Sequence, residues 1–109
     1  MYKATVCLTC KDGMTIEEFR EYYEDSHAPR VEDVPGIRKY TLAFNDAEDS
    51  PYDSIGELYF DDEAAYERAM SSELMGELIE DLENFTNPDE MLLVAGEEAV
   101  LIDSPVASG

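Results

Sequence analysis

Tyr2-Lys3-Ala4-Thr5-Val6-Cys7-Leu8-Thr9-Cys10 alternates along its whole length. Tyr2, Ala4, Val6, Leu8 and Cys10 share one face, while Lys3, Thr5, Cys7 and Thr9 share the other. That period of two predicts a strand with one apolar and one mixed face. Lys11-Asp12-Gly13 follows as a turn, and Thr15-Ile16-Glu17-Glu18 reads as a capping box that opens a helix. Ile16, Phe19 and Tyr23 then fall three and four apart on one stripe, with Arg20 and Glu24 able to pair on its flank.

Reading onward, Asp33-Val34-Pro35-Gly36 is a bend, and residues 37–44 alternate again, Tyr40, Leu42 and Phe44 against Lys39, Thr41 and Ala43. After a polar, acidic loop, residues 55–60 form a third strand with Glu57 inside it, an unusual place for a glutamate. Asp61 or Asp62 caps a second helix carrying Ala65, Tyr66, Ala69 and Met70 inward. Ser71-Ser72 interrupts it, Leu74, Leu78, Ile79, Leu82 and Phe85 continue the spacing, and Asn87-Pro88-Asp89 stops it. Residues 91–95 are a last strand, and 97–101 extend it or turn toward a partner.

The order β-α-β-β-α-β predicts an α+β domain over residues 1–103 with a frayed tail at 104–109. Its simplest closed form is ferredoxin-like, a four-stranded antiparallel sheet with both helices on one face. The other face would then carry Tyr, Leu, Thr and Cys side chains with nothing in the chain to cover it. The expected cover is a second copy of the same sheet, which makes the chain a homodimer.

Charge narrows the function classes. The 109 residues hold 27 acidic and 7 basic side chains, a formal net charge of -20. With no basic footprint, nucleic acid is excluded as a partner. The acids punctuate helices and turns throughout, a pattern of adaptation to a salty cytoplasm, where screening relieves self-repulsion. No apolar run approaches the ~20 residues of a membrane helix, and Met1-Tyr2-Lys3-Ala4 leads straight into a strand pattern without a signal peptide. The expected location is cytoplasmic.

Cys7-Leu8-Thr9-Cys10 has the C-x-x-C spacing of redox and zinc sites. On a strand, however, residues three apart point to opposite faces. No second pair exists, so two buried, reduced thiols are expected and no metal. The remaining chemistry gathers in Tyr22-Tyr23-Glu24-Asp25-Ser26-His27-Ala28-Pro29-Arg30-Val31, which ends the first helix and holds the only histidine. His27 lies four beyond Tyr23 and continues the inward stripe; it is either a capping residue ahead of Pro29 or the acid/base group of a site. Arg20, Arg30, Arg38 and Lys39, four of the seven basic residues, lie in or near this stretch.

Taken together, Tyr2-Lys3-Ala4-Thr5-Val6, Gly13-Met14-Thr15-x-Glu17-Glu18-Phe19, Tyr22-Tyr23, His27-Ala28-Pro29 and Val34-Pro35-Gly36-Ile37-Arg38-Lys39-Tyr40 resemble the EthD family, a branch of the dimeric α/β-barrel superfamily. The resemblance spans residues 1–100, and its first forty carry most of the specificity. It implies a homodimer with two sheets packed face to face and a small-molecule cavity between sheet and helices in each protomer. It also implies that His27 occupies the acid/base position and that Tyr23 and Tyr40 are cavity tyrosines. The family does not share one reaction, so substrate stays open.

Three functional readings remain. As an enzyme the chain would transfer a proton beside a carbonyl of a hydrophobic, lactone or phenolic metabolite, as in an isomerase or cyclase. His27 would then be the base, and Tyr23 or Tyr40 the donor to an enolate-like oxygen. Arg30, Arg38 or Lys39 would hold an anionic group, or simply pair with the abundant carboxylates. Glu57 would orient His27 across the sheet or lie at the dimer seam, and Cys7 is counted among the substrate contacts. No cofactor is called for; a haem would leave His27 as its sole axial ligand. As a binding module the chain would sequester the same kind of metabolite without turnover. A cofactor-free oxygenase is the third reading.

Overall fold

The computed structural model describes residues 1–103, so the tail at 104–109 lies outside the described residues. Strands β1 (Tyr2–Leu8), β2 (Lys39–Phe44), β3 (Ser54–Phe60) and β4 (Leu92–Glu97) form one antiparallel sheet in the order β2-β3-β1-β4. The alternation predicted for residues 2–10 is realised as far as Leu8; Cys10 departs from the strand and bridges to Thr86. In register, Ala4 sits opposite Leu58 and Ala95, and Val6 opposite Gly56 and Leu93. This row, with Tyr40 and Leu42 of β2, is the face that meets the helices.

Helix α1 (Ile16–Tyr22) opens on the predicted capping box: Thr15 Oγ1 accepts the Glu18 amide at 3.1 Å, and Glu18 Oε1 accepts the Thr15 amide at 2.9 Å. Arg20 does not pair with Glu24; its guanidinium reaches across to Asp46 at 2.6 Å, while lying over the Phe44 ring. The helix does not end at His27. Tyr23–His27 widens into a π turn, in which the Ala28 amide donates to the Tyr23 carbonyl, and one further turn, α2 (Ala28–Val31), follows. Pro29 has no amide hydrogen and would break a helix interior. Because the π turn resets the hydrogen-bond register, Pro29 falls instead in the first turn of α2, where its missing donor costs nothing. His27 is consequently not a terminal cap, and the capping reading of it is set aside.

The second helical region divides as the two serines suggest. Asp62, not Asp61, caps α3 (Glu63–Met70), and Ser72 caps α4 (Glu73–Asp81) through the Met75 amide. Two core clusters result. One gathers Val31, Val34, Phe60, Ala65, Ala69, Met75 and Leu78, and the other gathers Leu8, Phe19, Tyr23, Leu82 and Phe85.

The other face of the sheet is open. Lys3, Thr5 and Cys7 of β1 share it with Ile55, Glu57 and Tyr59 of β3, Lys39 and Thr41 of β2, and Leu92 and Val94 of β4. Val94 is 60 % exposed and Leu92 43 %. Both cysteines are free thiols as expected, yet only half-buried; burial raises the pKa of each, so both stay protonated near neutrality. Among the described residues, no helix is long and apolar enough to cross a membrane.

Candidate functional site

Between the sheet and the helices lies a cavity of about 130 Å³. Its floor is Val6, Leu58 and their neighbours on the sheet, and its roof is helical, with Val31, Met75, Leu78 and Leu82. Ile79 and Leu93 stand half out of it, 47 % and 42 % exposed, and mark its mouth. Polar atoms are few. Among the described residues, Tyr23, His27, Tyr40 and Tyr66 are the only lining residues whose side chains carry a nitrogen or oxygen atom.

His27 is 6 % exposed. Its Nδ1 is 2.8 Å from Asp81 Oδ2, at the end of α4. Asp81 Oδ1 in turn accepts the Tyr22 hydroxyl at 2.6 Å and the Asn84 amide at 2.9 Å. Burial works against the Asp81 charge, but these three hydrogen bonds outweigh it and hold the carboxyl below its ordinary range. Burial acts oppositely on His27, lowering its pKa despite the carboxylate, and the Arg30 charge adds to the lowering. The pair is therefore an aspartate anion and a neutral imidazole. An ionised carboxylate only accepts, so the imidazole proton belongs on Nδ1 and a lone pair on Nε2. Nε2 makes no hydrogen bond to a described residue.

Tyr23 reaches the sheet from the π turn. Its hydroxyl shares a hydrogen bond with the Tyr40 hydroxyl across 3.4 Å. Burial raises both phenol pKa values, most strongly for Tyr23, so both are proton donors at any ordinary pH. The space for this pair comes from Gly56. A Cβ there would meet Tyr23 Oη at 3.1 Å and Val6 Cγ1 at 3.2 Å. A glycine inside a strand marks close approach by another group, and here the group is a candidate site hydroxyl. Gly56→Ala is expected to displace the Tyr23 hydroxyl and cost about 1–3 kcal/mol by overpacking. The smaller unfolded-state gain of adding a Cβ offsets part of that cost. Urea unfolding with a parallel ligand titration measures both effects.

Of the eight candidate residues, three come together on this cavity: His27, Tyr23 and Tyr40. The others do not. Arg30 is half-buried on α2 and acts on His27 only through its charge. Arg38 is exposed and pairs with Asp61 at 3.2 Å. Lys39 lies on the open face, 5.3 Å from the Tyr59 ring centre. Glu57 is on that same face, accepting the Tyr59 hydroxyl at 2.8 Å and facing Lys3 at 3.4 Å. It does not reach His27, because the sheet stands between them. Cys7 shares that face. The group that orients His27 is Asp81, which the sequence reading passed over. An acid between Leu78 and Leu82 on an inward helical stripe was the available signal.

Residues 11–89 match the EthD domain family. An uncharacterised 11.0 kDa protein of Rhodococcus erythropolis is 29 % identical over 87 residues, covering 76 % of this chain and 84 % of its own. An EthD family protein of Bacillus halodurans superposes with a TM-score of 0.76 at 24 % identity, covering 91 % of this chain and all of that one. A dimeric protein of ferredoxin-like fold from Bacteroides fragilis gives 0.66 at 16 % identity over 89 % and 95 % of the two chains. SnoaB of Streptomyces nogalater, a cofactor-independent oxygenase, also gives 0.66, at 14 % identity over 89 % and 91 %. All three structures, each below 25 % identity, speak for the shared ferredoxin-like fold alone. The family match covers most of the chain and takes in the first helix, the π turn with His27, and strands β2 and β3, so the chain belongs to the EthD family.

Proposed function

We propose that the protein is a small-molecule enzyme that moves a proton at a carbon beside a carbonyl, lactone or phenolic oxygen. His27 Nε2 takes and returns the proton, and the Tyr23–Tyr40 pair donates to the oxygen on which charge develops. One observation carries this reading: a buried imidazole, held through Nδ1 by a three-bonded aspartate, on the wall of an apolar cavity. A histidine serving only packing has no need of a carboxylate with two further donors behind it. The arrangement resembles the base-and-orienter logic of many acid/base sites, although family membership by itself names no reaction.

The open sheet face supports a homodimer, since exposed Ile55, Leu92 and Val94 lie together on it. Sedimentation in molar KCl is expected to give the mass of two chains.

The test of the catalytic reading is a thermal-shift screen of lactones, phenols, quinones and β-keto acids in roughly molar KCl, which screens the acidic surface. Stabilising compounds are then incubated with the native protein and with His27→Ala. Conversion by the native protein alone, to a product of equal mass or lighter by water, supports the isomerase or cyclase. A product heavier by oxygen, formed only in air, moves the assignment to a cofactor-free oxygenase. If stabilising compounds emerge unchanged from both proteins, the reading of His27 as acid/base fails and a binding module takes its place.

A further inference from the structure

The seven basic residues are Lys3, Lys11, Arg20, Arg30, Arg38, Lys39 and Arg68. Not one lines the cavity. Lys3 and Lys39 are on the far side of the sheet, Arg20 and Arg38 are paired with surface aspartates, and Arg30, half-buried on α2, acts on His27 through its charge without reaching the lining. The charge nearest the cavity is negative, because the Asp81 carboxylate stands directly behind His27. Around this the whole chain carries a net charge of -20. The polar groups a ligand can meet are the hydroxyls of Tyr23 and Tyr40, the Tyr66 hydroxyl and the free Nε2 of a neutral imidazole.

An ion entering such a space would lose its hydration without gaining a counter-charge, a cost of several kcal/mol per unpaired ion. A neutral molecule bears no such cost and gains from burial of its apolar surface. We infer that the site selects for uncharged ligands: largely apolar compounds with one carbonyl or phenolic oxygen, to the exclusion of the corresponding carboxylates. This rests on the cavity assigned under the proposed function and names its substrate class. It also reverses the expectation that Arg30, Arg38 or Lys39 holds an anionic group. The tyrosine hydroxyls take the single oxygen, and the apolar walls take the remainder.

The experiment uses matched neutral and acidic probes, methyl benzoate with benzoate and 4-hydroxyacetophenone with 4-hydroxybenzoate. Affinities for the full-length protein are titrated at pH 7.5 in 0.2 M and in 2 M KCl. The expected result is a preference for the neutral member of about a hundredfold or more, undiminished at 2 M KCl because it originates inside the cavity. A preference that vanishes at high salt would assign the exclusion to the surface charge and overturn the inference. Equal or tighter binding of the carboxylates overturns it too, as does failure of both neutral probes to bind at millimolar concentration. Leu93→Lys gives a second handle, since Leu93 lines the mouth and is 42 % exposed, leaving room for a lysine to keep its head in water. It is expected to strengthen carboxylate binding about tenfold relative to the neutral probes. No change on carboxylate binding would place the bound probes elsewhere and sink the proposal. Because every readout is binding, turnover can fail while this selectivity stands, and the reverse.

Discussion

Asp81→Asn is expected to lower kcat/KM on a substrate found by the screen by about 10³- to 10⁴-fold, the scale seen when a catalytic histidine is held in the wrong tautomer. The reason is geometric. Tyr22 and Asn84 both donate to Oδ1, so an asparagine placed here turns its amide oxygen toward them. Its NH₂ then takes the place of Oδ2, 2.8 Å from His27 Nδ1. An NH₂ only donates, so Nδ1 must become the acceptor and the ring proton moves to Nε2. The base is thereby blocked without any change in shape. Nitrogen-15 NMR of the single histidine would show the tautomer directly, and an unchanged Nδ1–H signal would refute the argument.

The pH profile follows from the same pair. Burial holds the His27 pKa below its ordinary 6.5, so the ascending limb of kcat/KM in the native protein is expected below that value. Stability moves with it. Below 6.5 the unfolded chain binds a proton that the native imidazole refuses, so stability falls as pH drops toward the lowered folded pKa. His27→Gln should lack this loss. Urea midpoints of the two proteins at pH 7.5 and 5.5 measure the difference.

Phe85→Ala is the second large effect, expected to cost about 3–5 kcal/mol. Phe85 is 0 % exposed and its ring centre lies 4.9 Å from that of His27, 5.0 Å from Tyr22, 5.2 Å from Tyr23 and 5.8 Å from Phe19. It packs at once on the orienting network and on the first helix, as Tyr23 does from the start of the π turn. Against a total stability of about 5–15 kcal/mol for an ordinary domain, the loss is a large share. Denaturant unfolding in molar KCl should show a lowered midpoint at unchanged slope. Phe85→Leu, which refills most of the volume, should recover more than half of the loss.

These effects also show what could be read from the residues beforehand. The alternation over residues 2–10 is found as a strand as far as Leu8, and the capping box at Thr15 and the inward stripe through Phe19, Tyr23 and His27 are found where local periodicity puts them. The sheet order follows from connectivity. Asp81 and Gly56 were not visible as site residues because their significance lies in what they face across the fold, His27 in one case and Tyr23 in the other. The alternation itself separated Lys39 from Tyr40 and Cys7 from Val6. Choosing between the two faces required knowing which one the helices cover. The π turn was illegible for a different reason: it depends on how a proline two residues past His27 is accommodated, a choice between breaking the helix and shifting it.

That shift bears on how such a site can be gained or lost. The π turn is, in effect, one residue more than the path of an α-helix requires. Each residue of an α-helix turns the chain by about 100°. Removing one residue from Glu24–Ser26 would therefore turn His27 and α2 beyond it by that angle relative to Tyr23, unless the π turn closes to an α-helical path. In this fold the placement of one imidazole beside Tyr23 and Asp81 is thus set by the length of a single turn, with no strand residue involved.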